Sequence, residues 1–436
     1  MINALDRETF VSTLNRNLSP ATPIQSQEYL FGRDAQLRTV EQALCSAGRT
    51  VFIFGERGVG KTSLAQTAAF ASQSAHREPL LLACGPATTF SSLVRQIARE
   101  LSQGVSVRIE TTRKKKFGVG ALGYEVEQHT PLEDDVPEHF DLAEAVSTIR
   151  RLGNLQKGPT VVVIDEFDRI AELGERTRFA DFIKQVGDQR LEVRFLFCAV
   201  GSSLNELLGA HESCHRYVAG VEVPRLGWEA RWQIIDGAAS AFGVKIGDPP
   251  RFRIAAMSDG FPHYVHLVCE KLLWEVYNDP VVCAEASMEH YRGALAESVL
   301  GIEQHLRRMY DAATIRGQDE YESILWAVAD HADIKRTSAG IYDSYVKIAK
   351  MRGVEPLSRE EVTARLRKLK TESCGRVLAG TGQAGWFHFR ETVMRGYVRL
   401  RAEEAGMDLV YDYAGTESDN TWRQRRVRKT FRYVPR

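Results

Sequence analysis

Four residues, Gly55, Gly60, Lys61 and Thr62, stand at the spacing G-x-x-x-x-G-K-[ST] within FIFGERGVGKTSLAQ, Phe52 to Gln66. Glycines at these positions let the backbone curl until successive N–H groups face one point, a nest for an anion. The helix-forming run TSLAQTAAFA begins there and adds the partial positive charge of its N-terminus. A lysine at this place reaches the β- and γ-phosphates of a nucleotide, and a threonine hydroxyl ligates Mg²⁺. The candidate phosphate cradle is therefore Gly55, Glu56, Arg57, Gly58, Val59, Gly60, Lys61, Thr62 and Ser63. A second element, VVVIDEFDRI (Val161–Ile170), is an apolar run ending in Asp165 and Glu166. An Asp delivered by the end of a buried strand orients Mg²⁺ and its waters. A carboxylate in the next position is placed to polarise a water for attack on the γ-phosphate, which points to hydrolysis and not to binding alone. Helix-capping acids are the plainer reading, with a cap expected at Asp168. Capping leaves the two adjacent acids unexplained.

These groups need a frame. TVFIF, before the loop, is β-branched and aromatic, as a buried parallel strand should be. Residues 30 to about 225 alternate such runs with helical patterns, which predicts an α/β unit with helices covering a parallel sheet. The expected strands are Thr50–Phe54, Leu80–Ala83, Thr160–Ile164, Val193–Val200 and Tyr217–Val223. Between the second and third lies SVRIETTRKKKFGVGALGYEVEQHTPLEDDVP, where two alternating runs flank Gly118, Gly120 and Gly123. It reads as a β-hairpin-like insertion or a partly mobile flap over 104–137, basic at Arg113–Lys116 and acidic at Glu133–Asp135, with a solvated loop as the plainer reading of those charges. From Trp228 to Arg316 the pattern is helical, punctuated by Gly227 and Pro249-Pro250, with one long amphipathic stretch over Ser287–Arg316. From Tyr321 two helical segments precede LSREEVTARLRKLKTES, where Ser358 and Glu361 form a capping box. GRVLAGTGQAGWFHF then alternates as a β-hairpin, completing a winged-helix outline. The tail WRQRRVRKTFRYVPR carries seven Lys/Arg and no acid. The domains read as an N-terminal arm (1–28), a nucleotide-binding core (29–226), a helical lid with a linker helix (227–316), a winged helix (317–405) and a basic tail (406–436).

Composition narrows the class. At 436 residues the chain is too long for one ordinary core. Its 57 basic and 57 acidic residues cancel, so nucleic-acid binding must come from local patches. Seven cysteines stand singly without a C-x-x-C pair, arguing against a disulfide framework and for a reducing, cytoplasmic location. His211, Cys214 and His215 lack a fourth metal ligand and do not read as a zinc site. No run of about 18 apolar residues predicts a membrane span, and the amphipathic start does not read as a secretion signal.

FGRDAQLRTVEQAL, GERGVGKT and VVVIDEFDRI together resemble the AAA+ superfamily, above all its origin-recognition-like branch and the related signal-transduction (STAND) ATPases. The resemblance implies an ASCE-type P-loop NTPase fold with a five-stranded parallel sheet, a helical lid and a C-terminal winged helix. It also implies that Leu30, Phe31, Gly32 and Arg33 line the base and ribose of ATP or ADP. LGWEARWQIIDGAA and SDGFPHYVHLVCEKL look like the lid of that branch, with its G-x-P element at Gly260-Phe261-Pro262 facing the nucleotide. The lid arginine usual in the family is absent, and His263 sits near its place. Its polar sensor after the fourth strand falls at Ser202 or Ser203, with Asn205 further on; Ser202 is the expected sensor. Its arginine finger, which contacts a γ-phosphate held by an adjacent subunit, falls at Arg216. A surface arginine near a helix C-terminus is the other reading of that residue.

Closure around the γ-phosphate moves a lid relative to a sheet, so ATP is expected to act as a switch. Three uses follow. The first is DNA association through the Ser358–Ser373 helix, with Arg359, Arg365, Arg367, Lys368 and Lys370, and through the basic tail. The second is a regulatory or defence-type switch that assembles on ATP as a homo-oligomer and controls an effector protein encoded elsewhere. The third is a non-enzymatic protein that keeps a nucleotide as a structural cofactor, which Glu166 argues against.

Overall fold

A computed structural model describes residues 2–103, 106–111, 126–131, 139–201, 216–315 and 317–412. Ser202, Ser203, Asn205, the His211–His215 cluster, both charged stretches of the insertion and the basic tail lie outside the described residues. The chain divides into two compact units, Ala21–Arg225 and Met1–Pro20 with Leu226–Arg436. Helix α1 (Arg7–Asn17) therefore belongs to the second unit, while everything from Ala21 to Arg225 is the first.

The first unit contains α2 (Asp34–Cys45), β1 (Thr50–Gly55), α3 (Lys61–Ser72), β2 (Leu80–Ala83), α4 (Phe90–Ser102), β3 (Ser106–Thr111), β4 (Val126–Pro131), α5 (Leu142–Asn154), β5 (Thr160–Asp165), α6 (Leu173–Gln189), β6 (Val193–Val200) and β7 (Val218–Glu222). Five of the strands form one sheet in the order β2-β5-β6-β1-β7, all parallel. The register sets Val51 beside Leu196 on one side and Ala219 on the other. Strand β5 is TVVVID, buried but for its last residue, because helices cover both faces of such a sheet. Below it Phe52, Phe167, Phe179 and Phe197 meet mainly edge to face. Each ring contributes roughly 1.5–3 kcal/mol by leaving water. Capping boxes start α4 at Thr89 and α5 at Asp141. The insertion does form an antiparallel pair, with Ser106 opposite Pro131 and Thr111 opposite Val126.

The second unit begins with α1, whose Phe10 packs on Phe242, Trp274 and Tyr277. It continues through α7 (Trp228–Ala241), β8 (Lys245–Ile246), α8 (Asp248–Met257), α9 (Pro262–Asn278), β9 (Glu285–Ala286), α10 (Met288–Gly301) and α11 (Gln304–Thr314). The long amphipathic stretch over 287–316 is divided into two helices, because Ile302 turns to extended backbone after Gly301 and buries its side chain. Next come α12 (Gln318–Ala329), β10 (Arg336–Thr337), α13 (Ser338–Met351), α14 (Arg359–Lys368), β11 (Leu378–Gly380), β12 (Trp386–Phe389) and α15 (Val393–Glu404). The last three strands pair antiparallel in the order β10-β12-β11. The capping box at Ser358 is present, but α14 stops at Lys368, and a 3-10 turn over Glu372–Cys374 replaces the rest of the expected Ser358–Ser373 helix.

Helix α15 has no place in the sequence reading, since it is buried nearly all round and shows no amphipathic stripe. It carries Arg395, Arg399 and Glu403 into the core. Arg399 donates to Asp259 at 2.8 Å and to the carbonyls of Ala329 and His331, which close the C-terminal end of α12. Arg395 lies 3.6 Å from the same Asp259. Glu403 pairs with Arg253, and Arg231 with Asp412. Buried charges held this way are paired and hydrogen-bonded, as they must be away from water. Among the described residues no helix is long and apolar enough to cross a membrane.

Candidate functional site

The candidate site lies at the C-terminal ends of β1 and β5, where open α/β sheets place their ligands. Strand β1 ends at Gly55, whose φ of 151° favours glycine and whose missing Cβ leaves room for the Val223 carbonyl; a Cβ there would sit 2.5 Å from that oxygen. The loop turns through Gly58 and Gly60, both left-handed, and Gly60 is the N-cap of α3. Lys61 opens the helix. Its Nζ folds back and donates to the carbonyls of Glu56, at 2.7 Å, and Gly55, at 3.2 Å. The side chain is buried, and burial pushes its pKa down. This compact cation therefore faces the loop and not bulk solvent.

The Thr62 hydroxyl donates to Asp165 Oδ2 at 2.6 Å. Residues 103 positions apart thus put two hard oxygen ligands side by side, the donor set that suits Mg²⁺. Asp165 Oδ1 accepts the Glu166 N–H at 2.8 Å, and its carbonyl accepts from Cys84. Glu166 follows in a left-handed conformation, φ 54°, exposed and ion-paired with Arg169 at 2.6 Å. Asp168 does not cap a helix, contrary to expectation. Its Oδ1 accepts the Val200 N–H at 2.7 Å, tying the turn after β5 to the end of β6. The helix it was expected to cap, α6, begins later, at Leu173 with Glu172 as N-cap.

Two thiols adjoin these groups. Burial, with the Asp165 charge beside it, pushes Cys84 up to about 12 and holds Cys198 well above the usual thiol range. Both are protonated packing residues. Arg33, at the start of α2, is buried and donates to the Val59 carbonyl at 2.8 Å, so it braces the phosphate loop from behind; burial brings its pKa down to about 10. Leu30 is buried, Phe31 half-buried and Gly32 exposed with φ 67°. Glu56 pairs with Arg225 at 2.8 Å, a contact that no motif announces. In the loop Arg57 and Gly58 are exposed, Val59 is buried, and Ser63 accepts the Ile24 N–H.

Arg216 lies elsewhere in the unit. It precedes β7, which runs parallel to β1 with Val218 beside Thr50, so it sits at the N-terminal end of these strands, the end opposite its own phosphate loop. It is exposed, stacks on Tyr217 and approaches Asp188 at 3.4 Å. Pro262 and His263 belong to the second unit, in the first turn of α9; His263 Nδ1 bonds the Pro20 carbonyl at 2.7 Å. On α14, Arg359, Arg367 and Lys368 are exposed, but Arg365 is held by Glu320 at 2.6 Å and the first turn carries two acids. One further cluster, Asp279, Cys283 and His290, brings metal-ligand types together. His290 Nδ1 accepts the Ser287 N–H, which leaves the proton on Nε2 for Asp279; the cluster is a hydrogen-bonded tie across the loop.

Strand order, phosphate loop and flanking helices define a P-loop nucleoside triphosphatase fold. Residues 29–196 match the AAA ATPase domain family. The Walker-type ATPase paby2304 of Pyrococcus abyssi is similar in structure, with a TM-score of 0.52, 16% identity, and coverage of 87% of this chain and 99% of that one. The Aeropyrum pernix ORC1 protein, solved in complex with DNA, gives 0.42 at 14% identity, covering 87% and 95%. Cdc6p of Pyrobaculum aerophilum gives 0.41 at 12%, covering 90% and 98%. No curated protein matches the sequence.

Proposed function

We propose that this chain is an AAA+-type molecular switch that binds and hydrolyses ATP, coupling nucleotide state to DNA or to a partner protein through a winged helix formed by residues 317–405. The observation that carries the reading is the 2.6 Å bond between Thr62 and Asp165 beside the buried ammonium of Lys61. Thr62 and Asp165 would hold Mg²⁺, which neutralises phosphate charge when bound. Lys61 would leave its two carbonyls for the phosphates, and Glu166 would polarise the attacking water. Glu166 argues for turnover over a nucleotide kept as a structural part. Release of ADP from Mg²⁺-ATP tests this. The wild-type chain is expected to turn over slowly, while Lys61→Ala and Glu166→Gln lose at least about a hundredfold. Equal release by all three proteins would sink the proposal.

The position of Arg216, away from its own loop, supports action on a nucleotide held by a second copy, hence an ATP-dependent homo-oligomer. A protein partner in place of DNA is favoured by one observation: Arg365 of α14 is already paired with Glu320. A regulatory switch controlling a separately encoded effector then becomes the reading. Filter binding of duplex DNA at two salt concentrations separates the two, since phosphate contacts give a steep salt slope. Absence of binding at low salt would leave the protein partner.

A further inference from the structure

The phosphate loop contains one acid. Gly55, Gly58 and Gly60 curl the backbone into a shape that suits an anion, yet Glu56 puts a carboxylate in the same turn. A negative side chain beside a polyphosphate repels it, unless another charge offsets the acid. The register of the sheet supplies that charge. Strands β1 and β7 run parallel with Phe54 beside Glu222, and the Val223 N–H extends the ladder by donating to the Phe54 carbonyl at 2.8 Å. The two chain segments continue past that point to Glu56 and Arg225, where Arg225 Nε donates to Glu56 Oε2 at 2.8 Å. The arginine side chain is 16% exposed and the glutamate 36%, so solvent and salt screen this pair less than a fully exposed one. Glu56 is thus held twice: its carbonyl accepts from Lys61 Nζ at 2.7 Å, and its carboxylate accepts from Arg225.

We propose that Arg225 is a positioning residue for the polyphosphate, which it serves by neutralising Glu56 and so keeping the field of the phosphate loop positive. It acts through Glu56 and not by touching the nucleotide. The assignment deepens the nucleotide-binding reading above and rests on it. Removing the arginine leaves an uncompensated negative charge in the anion nest, and removing the acid leaves a surplus positive one. The two errors have opposite signs, and making both together should cancel them. A residue that only packed against the loop would show no such cancellation.

Titration calorimetry of Mg²⁺-ATP into the whole chain tests this with wild type, Arg225→Gln, Glu56→Gln and the double variant. Arg225→Gln should weaken binding about tenfold, and Glu56→Gln should tighten it about threefold. The double variant should return to within about threefold of wild type, as should Arg225→Lys, which keeps the charge alone. Raising salt from about 50 mM to about 0.5 M should shrink the Arg225→Gln defect, because the repulsion is screened. In turnover the defect should fall mainly on KM, as for an interaction shared by ground and transition states. A double variant as weak as Arg225→Gln would overturn the charge balance, since the arginine would then matter without the acid. Equal affinity in all the proteins would overturn it as well, with the proposed function intact. A wild-type chain that binds neither Mg²⁺-ATP nor pyrophosphate would sink the proposed function itself, and this assignment with it.

Discussion

Glu166 and Asp259 are both carboxylates on left-handed backbone, with φ of 54° and 52°, and there the likeness ends. Such a conformation costs an L-residue roughly 1–2 kcal/mol, so each must be held by something. Asp259 is buried against Arg399 and Arg395, and its strain is offset by partners that have nowhere else to go. Glu166 is exposed, and the side-chain ion pair it makes is with Arg169 on the surface. Exposed pairs of this kind contribute less than about 1 kcal/mol. The first acid is strained for the sake of the fold. The second is strained where the fold gains little, which is the expected signature of a residue kept for chemistry.

Replacing each acid by glycine turns the contrast into opposite signs. Asp259→Gly relieves the backbone yet strands two buried guanidiniums, and should lower unfolding stability by about 3–5 kcal/mol in a denaturant titration. A change under 1 kcal/mol would mean that the arginine network does not hold the second unit.

The next largest effect is set by pH in the same unit. Burial, and then the neighbouring His263, depress His266 from 6.5 to about 4. The unfolded chain therefore takes up the proton first, and stability is lost as pH falls from about 6.5 through about 4, in total on the order of 3 kcal/mol. His266→Gln should flatten that part of the stability–pH curve; an unchanged curve would remove His266 as its cause.

In the first unit, Gly55→Ala forces a Cβ toward the Val223 carbonyl and should cost about 2 kcal/mol, with hydrolysis falling alongside. Unaltered melting would show that the loop has slack. Smallest is Glu166→Gly. Relief of the left-handed penalty is partly cancelled by the extra freedom of glycine when unfolded, leaving a gain between zero and about 1 kcal/mol while turnover is lost. A clear loss of stability would place Glu166 among structural residues and end the contrast.

What could be read in advance follows the range of each interaction. The strands of the first unit are continuous apolar runs, and the phosphate loop is a local pattern of glycines whose geometry is set by φ. The capping box at Ser358 is equally local, and it forms. Asp168 was misread because a carboxylate after a strand has two outlets, and the nearer helix start lost to the N–H of Val200 on a neighbouring strand. Helix α15 was invisible for a different reason. Its arginines are neutralised by residues up to 140 positions away, so what reads as a polar segment is core. Separation in sequence hides Arg225 as well, 169 positions from its partner Glu56.

The packing of α1 also bears on synthesis. Phe10 is fully buried, yet the rings it packs on, Phe242, Trp274 and Tyr277, emerge from the ribosome only after the whole of Ala21–Arg225. At about 5–20 residues per second that leaves the apolar side of this amphipathic helix, Phe10 and Leu14, uncovered for roughly ten to forty seconds while the first unit is made. Newborn chains should thus offer chaperones a brief sticky handle at the amino end, one that vanishes when translation reaches the aromatic helix.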